Sequence, residues 1–167
     1  MTVHEFGEKD EDVLVLFHPL GVRWDIFNYV IPTLQKHYHL VIPALPGFDP
    51  DMPKTDFTSV EQIADEMASW LMHHGLDSIT CLYGCSLGGA VVARMLATRK
   101  ISVDCAVIDG GMTPYQLWKP LTYLIGIRDF IMLEIGKHMS VKALRGIFDP
   151  EKYTENDIMV MPMPNRY

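Results

Sequence analysis

The sequence contains no apolar run near the ~18–20 residues that a membrane-spanning helix requires, so none is expected. It also has no run of Lys or Arg. Against 14 basic residues stand 21 acidic ones, a formal net charge of −7, which argues against nucleic acid as a partner and reads as plain solubility. Cysteine is scarce: Cys81, Cys85 and Cys105 are odd in number and show neither metal-ligand spacing nor a disulfide framework. They are expected to be buried structural thiols of a reducing, cytoplasmic compartment. Met1 to Glu11 is polar and acidic, without the basic and apolar regions of a signal peptide. Repeats and low-complexity tracts are absent. A dinucleotide loop is excluded too, because G-x-G-x-x-G would need glycine where Ser86 stands. No cofactor and no metal is expected.

What is present is a globular composition. The chain has 167 residues, 49% of them hydrophobic. A chain of this size buries roughly 70% of its unfolded surface, enough for one domain with a small appendage. Val13 to Phe17 is a continuous apolar run closed by His18-Pro19, the pattern of a strand buried on both faces. Asp25 is placed to cap a helix, with Trp24 and Tyr29 as a staple, and Pro32 must kink or restart it. Leu40 to Ile42 reads as a second buried strand, followed by the turn-rich stretch from Pro46-Gly47 to Lys54.

Thr58 and Glu61 form a capping-box pair, and Val60, Ile63, Ala64, Met67, Trp70 and Leu71 then fall on one helical face. Gly75 ends that helix as a left-handed terminator. Ile79 to Tyr83 is a third strand, Leu87 to Arg99 a helix, and Val103 to Ile108 a fourth strand ending at Asp109-Gly110-Gly111. Strands alternating with helices predict an α/β fold, a parallel sheet with crossover helices. The pattern changes near Thr113. The core is therefore expected over residues 1–112 and a helical appendage over 113–167, broken into short pieces at Pro114, Pro120, Gly126, Gly136 and Gly146. Near its end, Tyr153 to Ile158 looks like a capped helix start that runs into prolines.

Chemistry concentrates at Gly84-Cys85-Ser86-Leu87-Gly88, a G-x-S-x-G between an apolar strand and an apolar helix. That spacing suits a sharp strand-to-helix turn that lifts the serine out of the sheet in a strained conformation. The helix start then offers N–H groups where negative charge develops. Gly89, Ala90 and Ala93 are small enough to let this helix approach the strands. His18-Pro19-Leu20-Gly21 follows the neighbouring strand, and its loop can aim a second N–H, from Leu20, at the same point as the N–H of Leu87. His18 is read as ordering that loop rather than as the base.

These segments, VLVLFHPLG, VIPALPG, LYGCSLGGAVVARML and VIDGG, resemble the N-terminal part of the α/β-hydrolase family over roughly residues 12 to 112, with the tail resembling the start of a helical cap. The resemblance implies a serine hydrolase of a small ester, thioester or amide. Ser86 would be the nucleophile of an acyl-enzyme, and Leu87 and Leu20 would form the oxyanion hole. There are departures: Pro19 stands where the family often has glycine, Ala44 where it commonly has Asp, and Asp49 where it often has glycine.

The family places its triad acid and histidine after two further strands beyond the cap, and no strand-like run follows Ile108. Asp109 and His18 stand as candidates to orient a base or act as the acid. His37 and His39 lie at the end of their strand far from Ser86, His73 and His74 end a surface helix, and His138 lies in the tail; each reads as structural or solvated. Beside an active hydrolase stand two other readings: a catalytically dead fragment or binding module, and half of an enzyme completed by another chain. The expected partners are a small acyl substrate and either a second copy or the missing C-terminal half, with no membrane.

Overall fold

A computed structural model of the chain describes residues 1–111 and 118–138. Five strands form one sheet: β1 (Val3–Phe6), β2 (Val13–Phe17), β3 (His39–Pro43), β4 (Ser78–Cys85) and β5 (Ser102–Asp109). Their order is β1-β3-β2-β4-β5, parallel except for β1, which runs antiparallel to β3. The four expected strands are β2 to β5, so the parallel α/β sheet is observed. β1 has no apolar run to announce it: VHEF places His4 and Glu5 mid-strand and lies half-buried at the sheet's edge.

Between β2 and β3 the chain makes a 3-10 turn, Trp24–Tyr29, and a single-turn helix α1, Ile31–Leu34. Pro32 stands at the start of α1, where its missing N–H costs nothing, so the helix restarts there. Asp25 does not cap. Its carboxylate accepts from Arg23 Nη2 at 2.6 Å, Tyr29 is exposed, and Trp24 stacks instead on His4 of β1 at 3.8 Å.

Helix α2, Val60–His73, packs Ile63, Ala64, Met67, Ala68 and Leu71 onto one face of the sheet. Burying such aliphatic side chains is worth about 1.5–3 kcal/mol each. Its cap lies one residue later than the T-x-x-E pattern indicates. Ser59 Oγ accepts from Gln62 N at 3.2 Å, and Gln62 Oε1 accepts from Thr58 N at 2.9 Å. At the other end Gly75, φ 71°, closes the helix: its N–H donates to Met72 O, and Leu76 N–H donates to Leu71 O.

Helix α3, Leu87–Thr98, covers the same face, with Val91, Val92 and Met95 fully or almost fully buried beside Phe17 and Leu82. On the opposite face Leu16, Leu40 and Ile42 pack against Phe27 and Ile31. Both faces of β2 and β3 are thereby covered, as their unbroken apolar runs require. β5 differs. It forms the other edge of the sheet, and Val107 and Ile108 are 46% and 48% exposed.

Two compact units divide the chain, Met1–Thr113 and Pro114–Tyr167. Within the second, α4 runs unbroken over Lys119–His138. It passes straight through Gly126 and Gly136, where short pieces were expected, because an isolated glycine costs a helix only about 1 kcal/mol. Pro120 sits in its first turn, where it is tolerated. The expected breaks at Pro114 and Gly146 and the segment from Tyr153 lie outside the described residues.

Candidate active site

The candidate site is built where β4 gives way to α3. Ser86 is the single residue between them, with φ 51° and ψ −111°. A side chain in that region costs about 1–3 kcal/mol and persists only where surrounding structure enforces it. Here the enforcement comes from both sides. Ser86 N–H donates to Asp109 O of β5 at 2.9 Å, and Ser86 O accepts from Ala90 N at 3.2 Å.

The glycines act through close approach. A Cβ at Gly84 would collide with the Gly88 backbone, and one at Gly88 would collide with the Phe17 carbonyl. One at Gly89 would lie 2.8 Å from Gly111 Cα. Ala93, expected to share this role, faces outward. The approach of α3 to the sheet therefore rests on Gly88 and Gly89.

Leu87 opens α3, and the first N–H groups of a helix have no intrahelical acceptor and lie at its positive end. The loop carrying Leu20 leaves β2 at Phe17, which is in register with Gly84 of β4. Topology thus brings both expected oxyanion donors to the same end of adjacent strands. Leu20 is exposed in the turn that contains Gly21, φ 80°.

His18 is fully buried behind that loop. Leu45 N–H can only donate, so His18 Nε2 accepts from it at 3.0 Å, and the proton must sit on Nδ1, which donates to Pro19 O at 3.0 Å. Both ring nitrogens are spent on backbone. Burial pushes the imidazole down to about 4, against weaker upward pulls from the Pro19 carbonyl and Asp25. A neutral, doubly bonded ring pins the loop and is not available as a base.

Asp109 ends β5 in register with Cys85. Its carbonyl holds Ser86, and its carboxylate accepts from Tyr83 Oη at 3.0 Å. Burial, followed by the hydrogen bond to Asp109, raises the Tyr83 phenol to about 12. Tyr83 was not singled out from the sequence, although period-two alternation places it on one face of β4 with Cys85.

Asp49, which departs from the family's glycine, is buried. Burial pushes its carboxyl up, but hydrogen bonds from Thr2 and from the backbone of residues 51 and 52 outweigh that and hold it below its ordinary value. Through Thr2 N at 3.1 Å it fastens the chain before β1 to the loop after β3.

The other histidines have local roles. His39, at the start of β3 and paired with Val13, meets Glu5 Oε2 at 2.8 Å, at the opposite end of the sheet from Ser86. His73 and His74 bond the carbonyls of Ser69 and Trp70 within α2. His138 closes α4, and its side chain lies outside the described residues. The thiols are not all buried: Cys105 is exposed, because β5 is an edge strand, and Cys81 and Cys85 are half-buried. Among the described residues no group of three His, Cys, Asp or Glu is placed to hold a metal ion. No helix among them is long and apolar enough to cross a membrane.

Comparison with known proteins places this geometry. The family model of the alpha/beta hydrolase fold matches residues 12–129. A pimeloyl-[acyl-carrier protein] methyl ester esterase of Sodalis glossinidius is 36% identical over 93 residues, which is 56% of this chain and 33% of that protein. A solved alpha/beta hydrolase family protein from Desulfitobacterium hafniense superposes with a TM-score of 0.73 at 26% identity, covering 97% of this chain and 66% of that one. A carboxylesterase structure from Nitrososphaera gargenis has the same fold, with a TM-score of 0.73 at 20% identity, covering 96% of this chain and 61% of that one. The chain thus spans a third of the length of the curated relative and under two thirds of these solved structures. With the elbow at Ser86, the parallel sheet and the family match in agreement, the chain belongs to the alpha/beta hydrolase fold family.

Proposed function

We propose that this chain carries the nucleophile half of a serine hydrolase acting on a small ester, thioester or amide. The observation that carries the proposal is the backbone of Ser86, a serine at φ 51° between a strand and a helix, enforced by glycine contacts on both sides. Ser86 Oγ attacks the acyl carbon, and the carbonyl oxygen gains negative charge that the N–H groups of Leu87 and Leu20 stabilise by donating hydrogen bonds to it. The leaving alcohol, thiol or amine departs with a proton, and water then hydrolyses the acyl-serine. A carboxylic ester fits the name of the Sodalis relative.

Deprotonating Ser86 needs a base. His18 is spent on backbone, and His39 stands at the wrong end of the sheet. We therefore assign the base to a group outside the described residues. That same observation favours a second reading, in which the 167 residues alone bind an acyl ligand without turnover.

The experiment is labelling by a fluorophosphonate together with hydrolysis of nitrophenyl acetate, for the chain and for Ser86→Ala. An oxyanion hole without a triad retains about 10³–10⁴-fold acceleration over water in well-studied hydrolases. Slow labelling and slow turnover that vanish in Ser86→Ala, with an unchanged circular dichroism spectrum, are expected. Labelling that survives Ser86→Ala refutes the nucleophile, and binding of a short-chain ester without any turnover selects the second reading.

A further inference from the structure

Adjacent parallel strands set register partners side by side with their side chains on the same face. Cys81 of β4 and Cys105 of β5 are such partners. Their sulfurs are 3.1 Å apart, with the Cys105 thiol donating to Cys81. Neighbouring strands lie ~4.8 Å apart, inside the ~4.4–6.8 Å between Cα atoms that a disulfide spans. Cys105 is exposed and Cys81 is half-buried, so one thiol meets solvent while the other waits behind it. Neither is used by the proposed hydrolysis.

We propose that Cys81 and Cys105 form a redox-active dithiol that closes to a cross-strand disulfide on reaction with a small disulfide such as oxidised glutathione. Cys105, the accessible thiol, loses its proton and attacks one sulfur of the oxidant. A Cys105–glutathione mixed disulfide forms, and one glutathione thiol leaves. Cys81 then gives up its proton and attacks Cys105 Sγ, expelling the second glutathione thiol. Two thiols are oxidised and one external disulfide is reduced. Burial and the neighbouring Cys105 raise the Cys81 thiol to about 11, which disfavours its thiolate; the 3.1 Å approach of the two sulfurs offsets this in the second, intramolecular step.

The crosslink would join the two strands that end at the elbow. β4 ends at Cys85 beside Ser86, and β5 ends at Asp109, whose carbonyl holds Ser86 N–H. Oxidation would therefore staple the pair of strands that positions the serine. Cys85 faces Asp109 in register, not another thiol, so it is outside the pair.

The test equilibrates the 167-residue chain in glutathione buffers of graded oxidised fraction, quenches by acid, and reads intact mass and, because no Lys or Arg separates Cys81 from Cys85, the crosslink site from tandem mass spectra of the tryptic peptides. The expected result is loss of two hydrogens with no retained glutathione, a Cys81–Cys105 crosslinked peptide, and Cys85 still free. Cys85→Ser should behave as the parent. Cys105→Ser should form no internal crosslink, and the map on the unaltered chain stands even if that variant fails to fold. Persistent glutathione adducts on Cys105, a crosslink through Cys85, or thiols that stay reduced across the whole series would each overturn the proposal.

Discussion

Acid should destabilise this protein chiefly through the buried imidazole of His18. His18 is held at about 4 in the folded chain, whereas an unfolded histidine titrates at 6.5. The unfolded state therefore binds a proton that the folded state refuses, and stability falls as pH drops through that interval. The direction is that of a depressed basic group: the contribution is intact above 6.5, declines between 6.5 and about 4, and is gone below. At ~1.36 kcal/mol per pKa unit the full effect is about 3 kcal/mol, of which about 2 kcal/mol is lost by about pH 5. Burial likewise depresses His4, against pulls from Asp49, Asp51 and Asp25, and it adds in the same direction. Asp49 titrates below 3.8, so its stabilising hydrogen bonds fail only in stronger acid.

Urea unfolding followed by circular dichroism at about pH 7.5 and about pH 5 reads this difference directly. In His18→Leu the Leu45 N–H and the Pro19 carbonyl lose their partner. That should cost about 1–3 kcal/mol near neutral pH while removing most of the pH dependence. If the variant does not fold, the imidazole of the unaltered chain can be titrated by NMR. A His18 pKa near 6.5, or a pH slope unchanged in His18→Leu, would refute the reasoning.

Other outcomes are equally specific. Gly88→Ala drives a methyl into the Phe17 carbonyl, and overpacking of this kind should cost about 1–3 kcal/mol in urea melts and depress fluorophosphonate labelling of Ser86. Ser59→Ala removes the acceptor of Gln62 N–H and should cost about 1 kcal/mol, whereas Glu61→Ala should cost less, reversing the order that a T-x-x-E cap implies. β5 leaves a sheet edge with Val107 and Ile108 about half exposed, so the chain should associate; a sharp monomer peak by size exclusion with light scattering at low micromolar concentration would count against it.

The parts of the fold legible in the sequence are those where one local pattern dominates. VLVLF and Leu40 to Ile42 announce buried strands because both faces of β2 and β3 are covered, and G-x-S-x-G announces its turn because three backbones crowd there at once. Where patterns compete, reading fails by small steps. Thr58-x-x-Glu61 and Ser59-x-x-Gln62 are equally good caps on paper, and the helix takes the second. VHEF pairs as a strand only because β3 offers it an edge. Gly126 reads as a breaker, yet nothing lies near its Cα within reach of a Cβ, and α4 continues through it. The thiol pair was invisible for another reason: 24 residues separate Cys81 from Cys105, and only strand register brings them together.

The candidate site is ordered by core elements rather than by its own chemistry. Among the described residues, the contacts that fix Ser86 are backbone: the Asp109 carbonyl across the β4–β5 pair, the Ala90 N–H from α3, and the steric demand of Gly84 and Gly88. The loop of the second oxyanion donor is held the same way, by His18 between Pro19 and Leu45. None of these contacts involves a proton donor or acceptor of the proposed reaction, so nothing in the nucleophile's geometry depends on the base being present. The strain of about 1–3 kcal/mol at Ser86 is met by packing that would exist in any case, since β2, β4 and α3 bury the same core whether or not the residue reacts. A base delivered to such a site meets a serine backbone that is already set and needs only to reach its hydroxyl.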